Sequence, residues 1–264
     1  MTKSNMKNQT AIVCGASKGI GASAAIELSK CGASTILLAR NDKALDEIIS
    51  KLDTQHGQKH KYIIADFQNP DSLRKEVELF LNNFDKSIEI LINNTGGPKP
   101  GPAMSAAPED FLNAFNQHLI CNHVLVNAVL KTMKKNNYGR IINIISTSVK
   151  QPIKGLGVSN TIRGAVASWA KTLSFELGEF GITVNNILPG YTDTERLHDI
   201  FEKKSKSTGI DIESVIMEAQ AQIPLKRFAS PSETAKAICF LASADAGYIN
   251  GINLPVDGGR LTTL

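Results

Sequence analysis

A doubly wound α/β fold, one parallel sheet of about seven strands with helices on both faces, is predicted by three observations. Strand-length apolar runs alternate with helix-length amphipathic stretches along the whole chain. The apolar runs are continuous, as at Ile12-Val13-Cys14 and Ile36-Leu37-Leu38, where a strand with one wet face would alternate. The first run ends in three glycines, Gly15, Gly19 and Gly21, just as a helix begins. At 264 residues the chain has room for one large domain, and residues 1–264 are read as a single unit.

The first strand, 11–14, runs into G-x-x-x-G-x-G. Glycine has no Cβ, so the chain can turn tightly there and lay its backbone against a ligand. The following helix, 22–30, aims its free N–H groups and positive dipole end at the same place, which favours a phosphate. A plain tight turn is the alternative, and the rest of the chain decides between them. Gly32 stops the helix, and a second strand, 34–39, closes on Arg40-Asn41-Asp42. Asn41 or Asp42 can cap a helix running to about His56. A third strand, 61–65, ends at Asp66, and a helix over 69–84 puts Leu73, Val77, Phe80 and Leu81 on one face. The fourth strand, 88–92, ends in Asn93-Asn94-Thr95-Gly96.

Residues 96–108 are too rich in glycine and proline for helix or central strand. They form a loop at the carboxyl edge of the sheet, where doubly wound folds line their ligand crevices. One long helix is expected over about 109–136, then a fifth strand, 140–145, ending at Ser146. The helix over about 158–178 carries Val158, Ile162, Val166, Trp169 and Leu173 on one stripe. Ser159 and Arg163, at i and i+4, share a neighbouring face. A sixth strand, 182–188, ends in Pro189-Gly190. Residues 192–224 are charged and poorly periodic, with helical pieces around 195–204 and 212–220; they read as a lid or substrate-facing flap, or else as surface decoration. Ser230 and Pro231 open a helix over 231–242, and 252–256 is the last strand.

Bulk properties remove several function classes. The net charge of +4 is small and the lysines are scattered, with pairs such as Lys134-Lys135 and Lys203-Lys204 that suit solvated faces; no nucleic-acid footprint is expected. Cys14, Cys31, Cys121 and Cys239 lie far apart with no C-x-x-C pair, and His118 and His123 lack the spacing of a helical metal pair. Neither a metal site nor a disulfide framework is expected. The polar start MTKSNMKNQT and the lack of any apolar run near about 20 residues predict a cytoplasmic protein without a membrane anchor.

CGASKGIG, NNTG, the strand end at Ser146, the helix with Ser159, GITVNNILPG and PVDGG follow one another in an order and spacing that resemble the short-chain dehydrogenase/reductase family. The likeness is nearest to its 3-oxoacyl-[acyl-carrier-protein] reductase-like branch and covers 8–259. It implies a Rossmann-type fold and a nicotinamide dinucleotide. Carried over position by position, the cofactor contacts fall on Gly15, Ser17, Lys18, Gly19, Ile20 and Gly21 in the turn and on Asp66 and Phe67 by the adenine. They continue on Asn93 and Gly96 in the cleft, on Arg163 at the nicotinamide ribose, and on Pro189, Gly190 and Thr192 by the nicotinamide. Members that use NAD(H) place an acid after the second strand. Here Arg40 stands there with Lys18 nearby, and two cations suit the 2′-phosphate of NADP(H) in preference to NAD(H).

The family's catalytic serine, tyrosine, lysine and asparagine fall on Ser146, Ser159, Arg163 and His118. Three of these four differ from the family pattern. A tyrosine near pKa 10 can be drawn towards neutrality by a cation, whereas a serine hydroxyl is shorter and a far weaker acid. Arg163 can hold ribose hydroxyls and supply charge but relays protons poorly. His118 has the intrinsic pKa for acid–base work, and Ser146, Ser159 and a water could pass its proton on; a structural hydrogen bond is the alternative. Lys150, Asn160 and Tyr191 are further polar residues expected at the cleft, Tyr191 as a second acid or a packing residue. No G-x-S-x-G elbow and no acid partner support a Ser-His-Asp hydrolase.

The expected function is therefore an NADP(H)-dependent oxidoreductase moving a hydride between nicotinamide and a small carbonyl or alcohol substrate, 3-oxoacyl-type among the options. The alternative is a catalytically impaired dinucleotide-binding sensor or assembly protein. The resemblance also implies a homo-oligomer, dimer or tetramer, with the helices from about 109 and 158 as contact faces.

Overall fold

The computed structural model describes residues 5–263. Seven strands lie in one sheet: β1 (Thr10–Cys14), β2 (Ser34–Ala39), β3 (Lys61–Ile64), β4 (Ile90–Asn93), β5 (Gly139–Ile144), β6 (Ile182–Pro189) and β7 (Asn253–Val256). Their order is β3-β2-β1-β4-β5-β6-β7 and every pairing is parallel. The order reverses between β1 and β4, so a crevice opens beyond the carboxyl ends of these two strands.

Both faces of the sheet are covered, which is why its strands are continuously apolar. Val13 packs with Leu28 of α1 (Gly19–Lys30) and Ile238 of α9 (Pro231–Ala242), while its neighbours Ile12 and Cys14 pack on the opposite side. That opposite layer contains α3 (Pro70–Asn82), α5 (Cys121–Asn136) and α6 (Gly157–Leu177), contributing Val77, Leu125, Val129 and Leu173. Among the described residues no helix is long and apolar enough to cross a membrane. Nor does any group of three or more His, Cys, Asp or Glu side chains stand ready to hold a metal.

Three expected elements differ from those observed. The second helix, α2 (Asp42–Ile49), is capped by Asn41 and stops well short of His56. Its end tightens through i to i−3 bonds from Lys51 and Leu52, and buried Leu52 turns the chain inward ahead of the polar 53–58 segment. The long helix expected over 109–136 is two helices, α4 (Pro108–Phe115) and α5, joined by one π turn at Asn116–Ile120. Pro108, expected in the loop, is its first residue. The charged 192–224 stretch holds α7 (Glu195–Thr208) and α8 (Ile212–Ala221), capped by Thr194 and Asp211. These two helices share a small core of Leu197, Phe201, Val215 and Ala219, against which Tyr191 and Phe228 pack.

Candidate active site and cofactor cleft

The glycine turn sits at the sheet's reversal point. Gly15 and Gly19 have φ of +58° and +59°, the left-handed region that side chains disfavour. A Cβ on Gly15 would lie 2.7 Å from the Asn94 amide nitrogen, and one on Gly21 would collide with the Gly15 carbonyl. Asn94 Nδ2 donates to Cys14 O at 3.2 Å and so ties the end of β4 to the turn. Gly96 faces open space, and a Cβ on Gly19 would touch only Thr194. No side chain caps the start of α1, so its leading N–H groups point into that opening.

These features fit a dinucleotide. The turn is a cradle that side chains would fill, the helix start is an anion seat, and buried polar atoms nearby wait for partners: Asn93 Oδ1, Arg163 Nε and His118 Nε2. Lys18 Nζ lies 2.5 Å from Glu195 Oε2, the first residue of α7, and holds the Glu195 carboxyl below its usual value. Arg40 is exposed beyond β2. Asp66 Oδ1 accepts from Gln68 N, and the Phe67 side chain is buried in the core while its carbonyl accepts the Cys121 thiol. Ser17, Ile20 and Gly190 are half-buried along the cleft and Thr192 is buried.

Asn93 heads an unforeseen ladder of amides. Its Nδ2 donates to Asn143 Oδ1 at 2.9 Å, Asn143 Nδ2 to Asn186 Oδ1 at 2.9 Å, and Asn186 Nδ2 to Asn253 Oδ1 at 2.8 Å. The four residues are in register across β4, β5, β6 and β7.

The four candidate catalytic residues come from three elements. Ser146 follows β5, and its Oγ accepts from Ser148 N at 3.1 Å, which leaves its own proton to give. Ser159 is half-buried on the first turn of α6, and its hydroxyl has no hydrogen-bond partner among the described residues. Arg163, one turn on, is buried and donates through Nη1 to Ile144 O at 2.7 Å. Burial, with the Arg196 charge behind it, lowers its pKa to about 10. His118 is carried inward by the π turn to 2% exposure. Burial, then the charges of Arg163 and Arg196, hold its pKa well below the ordinary value, so the imidazole is neutral at neutral pH.

The partner of His118 is Thr95, whose Oγ1 lies 2.6 Å from Nδ1; the expected partners, Ser146 and Ser159, make no hydrogen bond with it. Thr95 was visible as the third residue of NNTG, but nothing in the sequence tied it to the histidine. Arg196, also unforeseen, anchors α7 by donating to Gly97 O at 3.0 Å and Pro98 O at 3.4 Å. Tyr191 is a packing residue: its ring meets Phe201 and Phe228 edge-on at 5.8 Å each and carries the Arg260 guanidinium at 4.3 Å. Asn160 braces a loop, its amide donating to Ile153 O at 2.9 Å, and Lys150 ends the short turn after Ser146.

A cavity of about 1030 Å³ lies beyond these residues, bounded by the 99–101 and 151–156 loops, α7, α8 and the chain's end. Thr147, next to Ser146, and Tyr191, next to Gly190, form part of its wall. Ser146, Ser159, Arg163 and His118 do not line it themselves.

The family model described as enoyl-(acyl carrier protein) reductase matches residues 15–260. Among curated proteins, the NADPH-dependent reductase BacG of Bacillus subtilis is 29% identical over 259 residues, covering 98% of this chain and all of that protein. The 3-oxoacyl-[acyl-carrier-protein] reductase FabG of Haemophilus influenzae is 32% identical over 254 residues, covering 96% of this chain and 98% of that one. Among solved structures, L-sorbose reductase from Gluconobacter frateurii, complexed with NADPH and L-sorbose, superposes with a TM-score of 0.92 at 29% identity over the whole of both chains. With the parallel seven-stranded sheet, the glycine turn at its reversal point and a family match over nearly the whole chain, this protein belongs to the short-chain dehydrogenase/reductase family, on its 3-oxoacyl-[acyl-carrier-protein] reductase-like branch.

Proposed function

We propose that the protein is an NADP(H)-dependent oxidoreductase that interconverts a carbonyl and an alcohol. The observation that carries this reading is the uncapped glycine turn and open Gly96 floor set beside buried, unpartnered Asn93 Oδ1 and Arg163 Nε. The NADPH named with its reductase relatives supports the choice of cofactor, as does Arg40 in place of an acid. When bound, the nicotinamide supplies or accepts the hydride.

The protein's own part is to hold the substrate oxygen and manage its proton. Ser146 and Ser159 donate hydrogen bonds to the carbonyl oxygen, and Arg163, still cationic at neutral pH, stabilises the alkoxide as charge develops. Ser159 then gives its proton and is reprotonated from water. His118 acts as a neutral relay: Nε2 gives its proton through that water to the Ser159 alkoxide while Nδ1 takes the Thr95 hydroxyl proton, and Thr95 regains one from solvent. Residues 192–224 serve as a lid over the cavity. The protein works in the cytoplasm as a homo-oligomer, with exposed Leu112, Phe115 and Phe175 as contact residues on α4 and α6.

A second reading, a dinucleotide-binding sensor or assembly protein without turnover, is favoured by one observation: Ser159 and Arg163 stand where the family carries tyrosine and lysine. Following NADPH absorbance with a panel of ketones and 3-oxoacyl thioesters, beside a measurement of NADPH affinity, separates the two. Turnover supports the reductase; tight binding without turnover on any substrate supports the second reading, and no binding removes both.

A further inference from the structure

The large cavity has a one-sided charge. Five cations line it, Lys99, Lys154, Lys203, Lys204 and Arg260, and no aspartate or glutamate does. Only Lys204 is matched, its Nζ lying 2.7 Å from Glu218 Oε2 outside the wall. The other four have no ion-pair partner among the described residues, although the chain as a whole carries 25 acidic residues against 29 basic ones. The same wall is apolar between them, with Ile153, Leu156, Ile200 and Phe201 facing the space.

The cations differ in kind. Lys99, Lys154 and Lys203 are exposed, and each alone contributes little in water. Arg260 is half-buried and fixed: its guanidinium lies 4.3 Å above the Tyr191 ring, and Nη2 donates to Tyr191 Oη at 3.4 Å. A guanidinium seated over a ring and bonded to its hydroxyl is held in place, and its remaining N–H groups are coplanar, the geometry that a carboxylate or a phosphate meets with two parallel hydrogen bonds. Tyr191 is in turn locked by Phe201 and Phe228, so lid and anion seat are one packed unit.

We propose that this cavity takes a small substrate with an anionic head group, seated on Arg260 within the field of Lys99, Lys154 and Lys203, and an apolar body against the inner wall. The proposal rests on the reductase reading only in calling the occupant a substrate. It makes Arg260, four residues past the end of β7, a specificity residue of the site.

The test is calorimetric titration of the full-length protein with saturating NADP⁺, using 5-oxohexanoate, its methyl ester, 5-oxohexyl phosphate and the neutral N-acetylcysteamine thioester of 3-oxohexanoate. The anions bind at least tenfold tighter than the ester or the thioester. An order of acid over phosphate or the reverse identifies the head group, and either order upholds the seat. Arg260→Gln brings acid and ester within twofold of each other, and Arg260→Lys restores part of the preference. Should Arg260→Gln fail to fold, Lys99→Gln/Lys203→Gln, both exposed, weakens acid binding two- to threefold with no effect on the ester. Equal affinity for acid and ester, or tighter binding of the thioester, overturns the proposal. NADPH oxidation is followed with the same four compounds: turnover without anion preference leaves the reductase standing and removes this inference. Selective acid binding without turnover does the reverse, and if NADP⁺ does not bind, the titration of the protein alone decides.

Discussion

In the proposed reductase Ser159 is a hydroxyl given the work that the family assigns to a phenol, and the difference in acidity sets what can be expected of it. Without an acid near neutrality, rate depends on charge held at the oxygen and on relays that keep the serine protonated. Replacing Ser159 or His118 with alanine is expected to lower kcat more than tenfold, read from steady-state NADPH oxidation; unchanged rates in both would place the proton source elsewhere. His118 also leaves a thermodynamic trace. Its folded pKa lies well below the ordinary 6.5, because burial and two guanidiniums disfavour the cation. The unfolded chain therefore binds a proton that the folded one refuses as pH drops below 6.5, and stability falls in that range by up to about 1.4 kcal/mol per pH unit. His118→Asn is expected to flatten this slope in thermal melts from pH 7.5 to 5.5; a parallel decline in both proteins would contradict a buried neutral imidazole. Sequence identified His118 as a candidate by position, but not its burial or its Thr95 partner, since both depend on packing between β4 and the helix.

Elements were legible where local chemistry announces itself. The final helix is bounded at Pro231 and Ala242 as its residues predict, because Glu233 reaches back to Ser230 N at 2.8 Å and Pro231 supplies the first turn. The same carboxylate takes two bonds from Arg227 at 2.7 and 2.8 Å. Glu233→Ala is expected to cost about 1 kcal/mol, a drop in Tm of about 2–4 °C, the capping bond mattering more than the solvent-screened ion pair. The π turn was not legible: it has no residue signature of its own, yet it sends His118 inward. Nor did any local signal join Lys18 to Glu195, 177 positions apart, across the mouth of the cleft. That pair places a carboxylate where a phosphate would compete for the same ammonium. Glu195→Gln is expected to tighten NADPH binding two- to fivefold in a fluorescence titration at low salt and to leave NADH less affected. Weaker NADPH binding would show that Lys18 needs its partner more than it competes with it.

Across the whole molecule, the parallel sheet covered on both faces followed directly from the alternating elements and their continuously apolar strands, whereas the strand order and the amide ladder did not. Asn93, Asn143 and Asn186 stand in otherwise apolar runs, and each alone looks like a strand-end residue or a flaw. Only the register, which brings Asn93 beside Asn143 and Asn143 beside Asn186, turns them into one chain of hydrogen bonds. The ladder's position explains its direction: it starts half-exposed at Asn253 and ends with Asn93 Oδ1 buried and unpaired next to the cleft. Removing a middle member therefore differs from removing an end. Asn143→Ala strips the acceptor from Asn93 Nδ2 and the donor from Asn186 Oδ1, two groups buried out of reach of water. Each orphan costs about 1–3 kcal/mol, so the variant is expected to lose about 2–6 kcal/mol in urea unfolding. Asn253→Ala orphans one buried donor, Asn186 Nδ2, and is expected to lose about 1–3 kcal/mol. Because Asn93 faces the cleft, Asn143→Ala is also expected to weaken NADPH binding several-fold while Asn253→Ala leaves it unchanged. Equal losses in the two variants would mean that the amides act as separate pairs and that the sheet does not carry order from its far edge to the cofactor.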